Sequence, residues 1–415
     1  MKIILVHYKY YIQGGPERYM FKFKKLAESK GCDVIPFSID NVNNYETQYS
    51  SYFVSSNNRD NLGTFDKSKL SIKGTLSGIF HQFHNYEAYS NLKKLIEDEN
   101  PDLLYCLIPG SLATDFFKAA HEADIPIILR LSDFRLICGC NTLLRDGDVC
   151  EECIHGDYSR MLKHRCVKGS RSLSLLRMMS LSYARKHKKY SLVDAVIMPP
   201  KFTAEKIVES GYFPTEKVYV NPTFIDCSNI KPFYNHMNYV LCLGRCSPEK
   251  GFIYVVKALR FLKDIPVTVV LTGNKENCGA ELIKVIEEYK LEDRINFVGF
   301  VHGEKLEKIT AEAMCVACPA IWYENSPNTV IEAYSHGKPV IASSLGSLAE
   351  IVENEKTGLL FEPKNPKQIA KCIRRLYEDK NFCKELGMNA KEKCERDFNP
   401  EKHWRKFIRI YEEIK

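Results

Sequence analysis

Two series of short, uninterrupted apolar runs constrain this chain more than any other feature. The first comprises IILVHY (3–8), DLLYCLI (102–108), IPIILRL (125–131) and VDAVIMPP (193–200). The second comprises YVLCLG (239–244), VTVVLTG (267–273), INFVGF (295–300), MCVACP (314–319) and PVIAS (339–343). Continuous apolar runs, as opposed to alternating ones, suit strands buried on both faces of a parallel sheet. Helical patterns separate them, for example from Pro16 to about Lys30 and from about residues 251, 279 and 328. The rhythm predicts an α/β chain of two doubly wound Rossmann-like domains facing each other across a cleft.

The 415 residues allow two or three domains. The break in rhythm places an N-terminal domain at 1–220, with a cysteine-rich and basic insertion at about 132–190. A linker at 221–238 follows, where the Asn-Pro step of VYVNPTFID (218–226) marks a turn. A second domain spans 239–395, and a final helix at 396–415 is expected to pack back on the first domain. No stretch approaches the roughly 20 apolar residues that span a bilayer. MKIILVHYKYYIQGG has too short an apolar run for a signal peptide and lacks a small-residue cleavage site. The expected location is therefore the cytoplasm, where disulfides are not expected and clustered cysteines suggest a metal.

GRCSPEKGF (244–252) follows one strand and precedes a helix. Gly244 allows a tight turn, and Arg245 and Lys250 place two cations beside a helix N-terminus, a good arrangement for a diphosphate. By itself the stretch could equally be an exposed loop with ordinary surface charges. ENSPNTVIE (324–332) lies after MCVACPAIW. Ser326 suits an N-cap and Pro327 a first helical residue, which puts Glu324 on the loop and Glu332 in the second helical turn. The amides of Asn328, Thr329 and Val330 are then expected to point out of the helix start and hold an anion.

These stretches resemble the donor domain of the large retaining glycosyltransferase family 4, whose fold is GT-B. Glu324 and Glu332 match its Glu, seven residues, Glu pattern. Gly244, Arg245, Glu249, Lys250 and Gly251 match its G-R-x-x-x-E-K-G loop. EAYSHGKPVIASSLGSLAEIV (332–352), the N-terminal GGPE (14–17) and the linker NPTFID are similar too, so the resemblance covers essentially the whole chain.

The resemblance implies that residues 1–220 bind the acceptor and 239–395 the nucleotide-sugar donor. It implies that Arg245 and Lys250 bind the donor diphosphate and stabilise the departing nucleotide. Glu332 would accept from the ribose hydroxyls and Glu324 would contact the transferred sugar. The Asn328 to Val330 amides would hold sugar hydroxyls or phosphate, and Gly15 would let the N-terminal loop approach the diphosphate. Transfer would retain configuration by front-face attack, with no metal needed for the donor phosphates. The acceptor would be a glycan, or one linked to a polyprenyl diphosphate, in surface polysaccharide synthesis. A non-catalytic sugar-nucleotide binder and a sugar-nucleotide epimerase are the alternatives on the same architecture. Many relatives carry His-Asp after the strand matching 125–131, where this chain has Ser132-Asp133. Asp133 is a candidate active-site residue, with helix capping as its alternative.

In the insertion, CGCNTLLRDGDVCEEC (138–153) is followed by Cys166. Cys138, Cys150, Cys153 and Cys166 would match cysteines in a subset of the family and could hold a structural zinc, with Cys140 extra and His155 or His164 as alternative ligands. Free thiols in an insertion, or labile disulfides, are the bland alternative. From Arg160 to Lys189 there are ten Lys or Arg and no acid, within a formal net charge of +7. Leu173, Leu176, Met179 and Tyr183 recur there at helical spacing, as a core-facing stripe would. The charge excess suggests a peripheral site on an anionic inner membrane face. Nucleic acid is not expected, because no aromatic stacking pattern accompanies the basic segment.

Overall fold

The structure is a computed structural model describing residues 1–55 and 83–415. The first domain is built on β1 (Lys2–His7), β2 (Asp33–Phe37), β3 (Leu103–Ile108), β4 (Ile127–Arg130), a small hairpin of β5 (Leu144–Arg145) and β6 (Asp148–Val149), β7 (Ala195–Met198) and β8 (Val218–Val220). The second is built on β9 (Tyr239–Cys242), β10 (Thr268–Leu271), β11 (Ile295–Phe297), β12 (Cys315–Cys318), β13 (Val340–Ser343) and β14 (Gly358–Phe361).

Each domain has one six-stranded sheet, in the orders β2-β1-β3-β4-β7-β8 and β11-β10-β9-β12-β13-β14, with every adjacent pair parallel. Both faces of each sheet are buried. Ile4 and Val6 enter one core while Ile3 and Leu5 enter the opposite one. Val240 and Cys242 divide from Tyr239 and Leu241 in the same way. This period of two explains why the strands read as unbroken apolar runs.

The order of strands reverses between β1 and β3 in one sheet and between β9 and β12 in the other. Connections leave these neighbours toward opposite faces, which opens a crevice at the strand carboxyl ends. The two crevices face each other. The chain crosses back to the first domain at its end: Asn399 caps the helix Pro400–Ile414, and Phe407, Ile410 and Tyr411 pack into one core with Ile3, Leu5, Phe23 and Tyr105.

The insertion is more ordered than a loop. Asp146 and Gly147 both have positive φ, 51° and 83°, as the two-residue turn of a tight hairpin requires, and Arg145 pairs with Asp148 across it. In the helix Arg171–Lys186 the expected stripe is only partly inward, with Leu173, Leu176 and Tyr183 half-buried. Its buried residues are Ser174, Ser180 and Leu181, while Met179 is 50% exposed. Arg177 also points inward, its guanidinium donating to the Arg135 carbonyl at 2.7 Å and to Asn141 Oδ1 at 3.2 Å.

Candidate functional site

The loop after β9 begins with Gly244, at φ 132°, whose N–H donates to Thr272 Oγ1 at 2.8 Å. It ends at Gly251, left-handed at φ 69°, where a Cβ would stand 2.0 Å from the Pro319 carbonyl oxygen. Between them, Ile321 N donates to the Glu249 carbonyl at 3.0 Å and clips this loop to the one after β12. Lys250 is thereby brought to Glu324, Nζ to Oε1 at 2.7 Å, and Trp322 Nε1 donates to the same oxygen at 3.0 Å. The Arg245 side chain is 72% exposed, with Glu249 Oε1 at 3.7 Å. It is free to swing onto a ligand.

The helix after the second loop runs Asn328–Ser335. Ser326 does not cap it as expected. Its hydroxyl is 2.6 Å from Thr223 Oγ1 and donates to Asn328 Oδ1 at 3.3 Å, so it ties the linker to the helix start. The amide reading also changes. Asn328 N donates to the Ser326 carbonyl at 2.7 Å and Val330 N to the Pro327 carbonyl at 2.9 Å. Among the described residues the Thr329 amide alone of the three has no such partner, and Val330 is fully buried. Glu332 stands in the second turn. Burial raises its pKa, and Lys22 and Arg18 partly oppose the rise.

A cavity of about 640 Å³ lies between the two crevices. Gly15, Gly244, Arg245, Lys250, Glu324, Asn328, Thr329 and Glu332 all line it. Gly15 faces across it, a Cβ there standing 3.5 Å from Asn328 Nδ2. Ser132 is on the wall, but Asp133 is not among the lining residues. The Asp133 carboxylate is held by Arg135 in a two-armed ion pair at 2.7 and 2.6 Å. The structure thus gives Asp133 an ion-pair partner, Arg135, which the sequence reading did not foresee.

Several wall residues escaped the sequence reading. Arg18 and Lys22 stand four apart on the helix Gly15–Ser29, one above the other, a spacing that could have signalled a common target. Arg130 is fully buried. Its charge is met by the Asn221 carbonyl at 3.0 Å, Thr223 Oγ1 at 3.2 Å and the Tyr19 ring at 4.0 Å. Nothing local in IPIILRL marks that role.

The cysteines also depart from expectation. A disulfide joins Cys246 to Cys278, fastening the loop that carries Arg245 to the loop after β10. In the insertion, Cys138 is buried in the first domain's core, with its sulfur 3.4 Å from that of Cys140. Among the described residues no group of three or more His, Cys, Asp or Glu is placed to hold a metal ion. Cys153 nonetheless feels the charges of Cys150 and Cys166, and Cys166 those of Cys140 and Cys150, so these thiols lie near one another.

With this geometry in view, the architecture is that of the GT-B glycosyltransferases. Solved structures share it along the whole chain. Anabaena HepE in complex with UDP superposes with a TM-score of 0.66 at 18% identity, covering 100% of both chains. Sucrose-phosphate synthase from Thermosynechococcus elongatus superposes with a TM-score of 0.68 at 18% identity, covering 99% of this chain and 98% of that one.

Residues 227–393, the second domain and its linker, match the family of glycosyl transferases group 1. An uncharacterised glycosyltransferase of Methanocaldococcus jannaschii is 31% identical over 154 residues, which is 37% of this chain and 39% of that protein. The amylovoran biosynthesis glycosyltransferase AmsK of Erwinia amylovora is 26% identical over 184 residues, 42% of this chain and 44% of that one. The matched stretch spans less than half the length of these curated relatives.

Proposed function

We propose that the protein transfers a sugar from a nucleoside-diphosphate donor to a glycan acceptor, with retention of configuration. The observation that carries this is the convergence of Arg245, Lys250, Glu324, Glu332 and the Thr329 amide on one cavity at two switch points. Arg245 and Lys250 take the diphosphate. As the bond from anomeric carbon to phosphate oxygen breaks, negative charge grows on that oxygen, and the two cations stabilise it. Lys250 is already ordered by Glu324, so little reorganisation accompanies the reaction. Glu324 remains beside the sugar and Glu332 receives the ribose hydroxyls. In a front-face reaction the acceptor hydroxyl attacks from the side the phosphate leaves, and the phosphate oxygen accepts its proton.

The acceptor enters from the first domain, past Gly15 and Ser132. The acceptor class is a polyprenyl-linked glycan of a surface polysaccharide, while Arg18 and Lys22, near enough to Glu332 to oppose the rise in its pKa, line the nucleotide side of the cavity. The helix Arg171–Lys186 supports docking on an anionic membrane. Its solvent face carries Leu175 and Met179, 41% and 50% exposed, with exposed Arg171 and Lys186 at its two ends. No helix among the described residues is long and apolar enough to cross a membrane.

The test is release and transfer of labelled sugar from UDP-, GDP- and ADP-sugars with acceptor extracts. Glu324→Ala should lower the rate at least about 100-fold, in the range seen when a transition-state contact is removed. Equal rates in wild type and Glu324→Ala would sink the assignment. Turnover of donor without acceptor would point to an epimerase.

A further inference from the structure

The helix Lys201–Glu209 of the first domain starts after Pro200, and its first turn has no side-chain cap of its own. Its two leading amides are not left to water. Lys201 N donates to Glu350 Oε1 at 2.9 Å and Phe202 N to Glu350 Oε2 at 2.7 Å. Glu350 belongs to the helix Gly346–Ile351 of the second domain. One carboxylate thus caps a helix across the interdomain boundary with both oxygens. The pairing is favourable twice over, since the amides lack partners and the helix start carries partial positive charge.

The surrounding packing is built for this contact. The Phe202 ring lies 4.6 Å from that of Tyr323, the residue before Glu324. Gly346 has φ 51°, and a Cβ there would meet the Tyr323 ring at 2.8 Å and the Phe202 ring at 3.0 Å. Glycine is therefore required for the two domains to approach this closely. Elsewhere across the cleft, Tyr323 hydrogen-bonds Glu151, and its ring lies 6.4 Å from that of Phe134. Arg18 Nη2 lies 3.4 Å from His302 Nδ1, and Lys364 pairs with Asp148 where the Asp148 side chain is 79% exposed.

The geometry points to Glu350 as a positioning residue: its carboxylate latches the second domain to the first domain's 201–209 helix and so holds the cleft in the arrangement where Gly15 faces Asn328. The latch acts on the closed state alone, because opening withdraws the carboxylate from both amides. It reaches the chemistry through the Phe202–Tyr323 ring contact beside Glu324. Its kinetic consequences rest on the transferase reading above, while its effect on domain closure does not.

Three variants test it in the full-length chain. Glu350→Ala removes the cap. Glu350→Gln keeps the shape and loses the charge. Lys201→Pro removes one donor at the first helical position, where proline is well accepted, and Pro200 at φ −99°, ψ 156° already has the extended backbone that a following proline requires. Small-angle scattering without ligand should show a larger radius of gyration for all three. Affinity for nucleoside diphosphates, read by calorimetry, should stay within about twofold. The kcat for transfer should fall about tenfold, the effect of roughly one charge-assisted hydrogen bond. The Glu350→Ala, Lys201→Pro double variant should be no worse than the poorer single one.

An unchanged radius of gyration in Glu350→Ala and Lys201→Pro would overturn the latch, as would effects of the two that multiply. A merely local role would lower the melting temperature and leave scattering unmoved. Absence of any nucleotide binding in the wild type would defeat the transferase reading and leave the scattering result standing.

Discussion

Gly251→Ala is the most demanding single substitution for this account. Gly251 sits in the left-handed region at φ 69°, which costs an alanine about 1–2 kcal/mol. The added Cβ would also stand 2.0 Å from the Pro319 carbonyl oxygen. A gap of roughly 1 Å or more must open before that contact is tolerable, and forced repacking of this kind costs about 1–3 kcal/mol. The total is about 2–5 kcal/mol. The strain falls on the two loops that the Glu249–Ile321 backbone bond and the Lys250–Glu324 pair hold together.

Gly31→Ala is the control. It has φ 77° but nothing within 4 Å of the new atom, so it bears only the backbone cost. Urea unfolding should therefore show Gly251→Ala destabilised by more than Gly31→Ala. Titration with nucleoside diphosphate should show at least about tenfold weaker binding, some 1.4 kcal/mol, for Gly251→Ala alone. Equal nucleotide affinity in the two variants would refute the claim that these loops are braced against each other to form the donor site.

Two further outcomes follow from buried groups and from the disulfide. Burial pushes the pKa of His7 and of His403 down to about 3, in the case of His7 despite Glu17 at 3.7 Å. Both are neutral when folded and bind protons below about 6.5 when unfolded, so their stabilisation is complete above pH 6.5 and is lost as pH falls toward 3. The slope is up to about 1.4 kcal/mol per pH unit for each, and His403→Gln should remove one share of it in urea titrations between pH 6 and 4. Reducing Cys246–Cys278 frees a loop with sequence separation 32, which in the chain-entropy account costs about 3–4 kcal/mol. The melting temperature should fall on reduction in the wild type and stay put in Cys278→Ser.

Much of the fold was legible because strands buried on both faces must be apolar at every position. That signal is local and strong for β1, β3, β9, β10 and β12. It fails for β2, which includes Pro36 and sits at a sheet edge, where proline is tolerated. The cavity residues were legible where motif and turn chemistry coincide, as at Gly244, Lys250, Glu324 and Glu332. They were not where the partner decides. Asp133 looks free in sequence, but Arg135 two residues on claims both of its oxygens. Ser326 looks like a cap until the linker's Thr223 offers a closer partner. Arg177 and Arg130 are charged residues whose inward placement depends on carbonyls far along the chain. Neither the cross-domain cap by Glu350 nor the Cys246–Cys278 bond leaves a local trace, because each joins segments brought together only by folding.

Calorimetric titration of UDP, GDP and ADP into the wild type, Arg245→Ala and Lys250→Ala tests the central claim most directly. One of the three should bind the wild type, and each variant should lose at least about tenfold in affinity, the worth of a charge-assisted contact to phosphate. Binding of none of them, or affinities the same in all three proteins, would contradict the assignment of the cleft to a nucleoside-diphosphate donor.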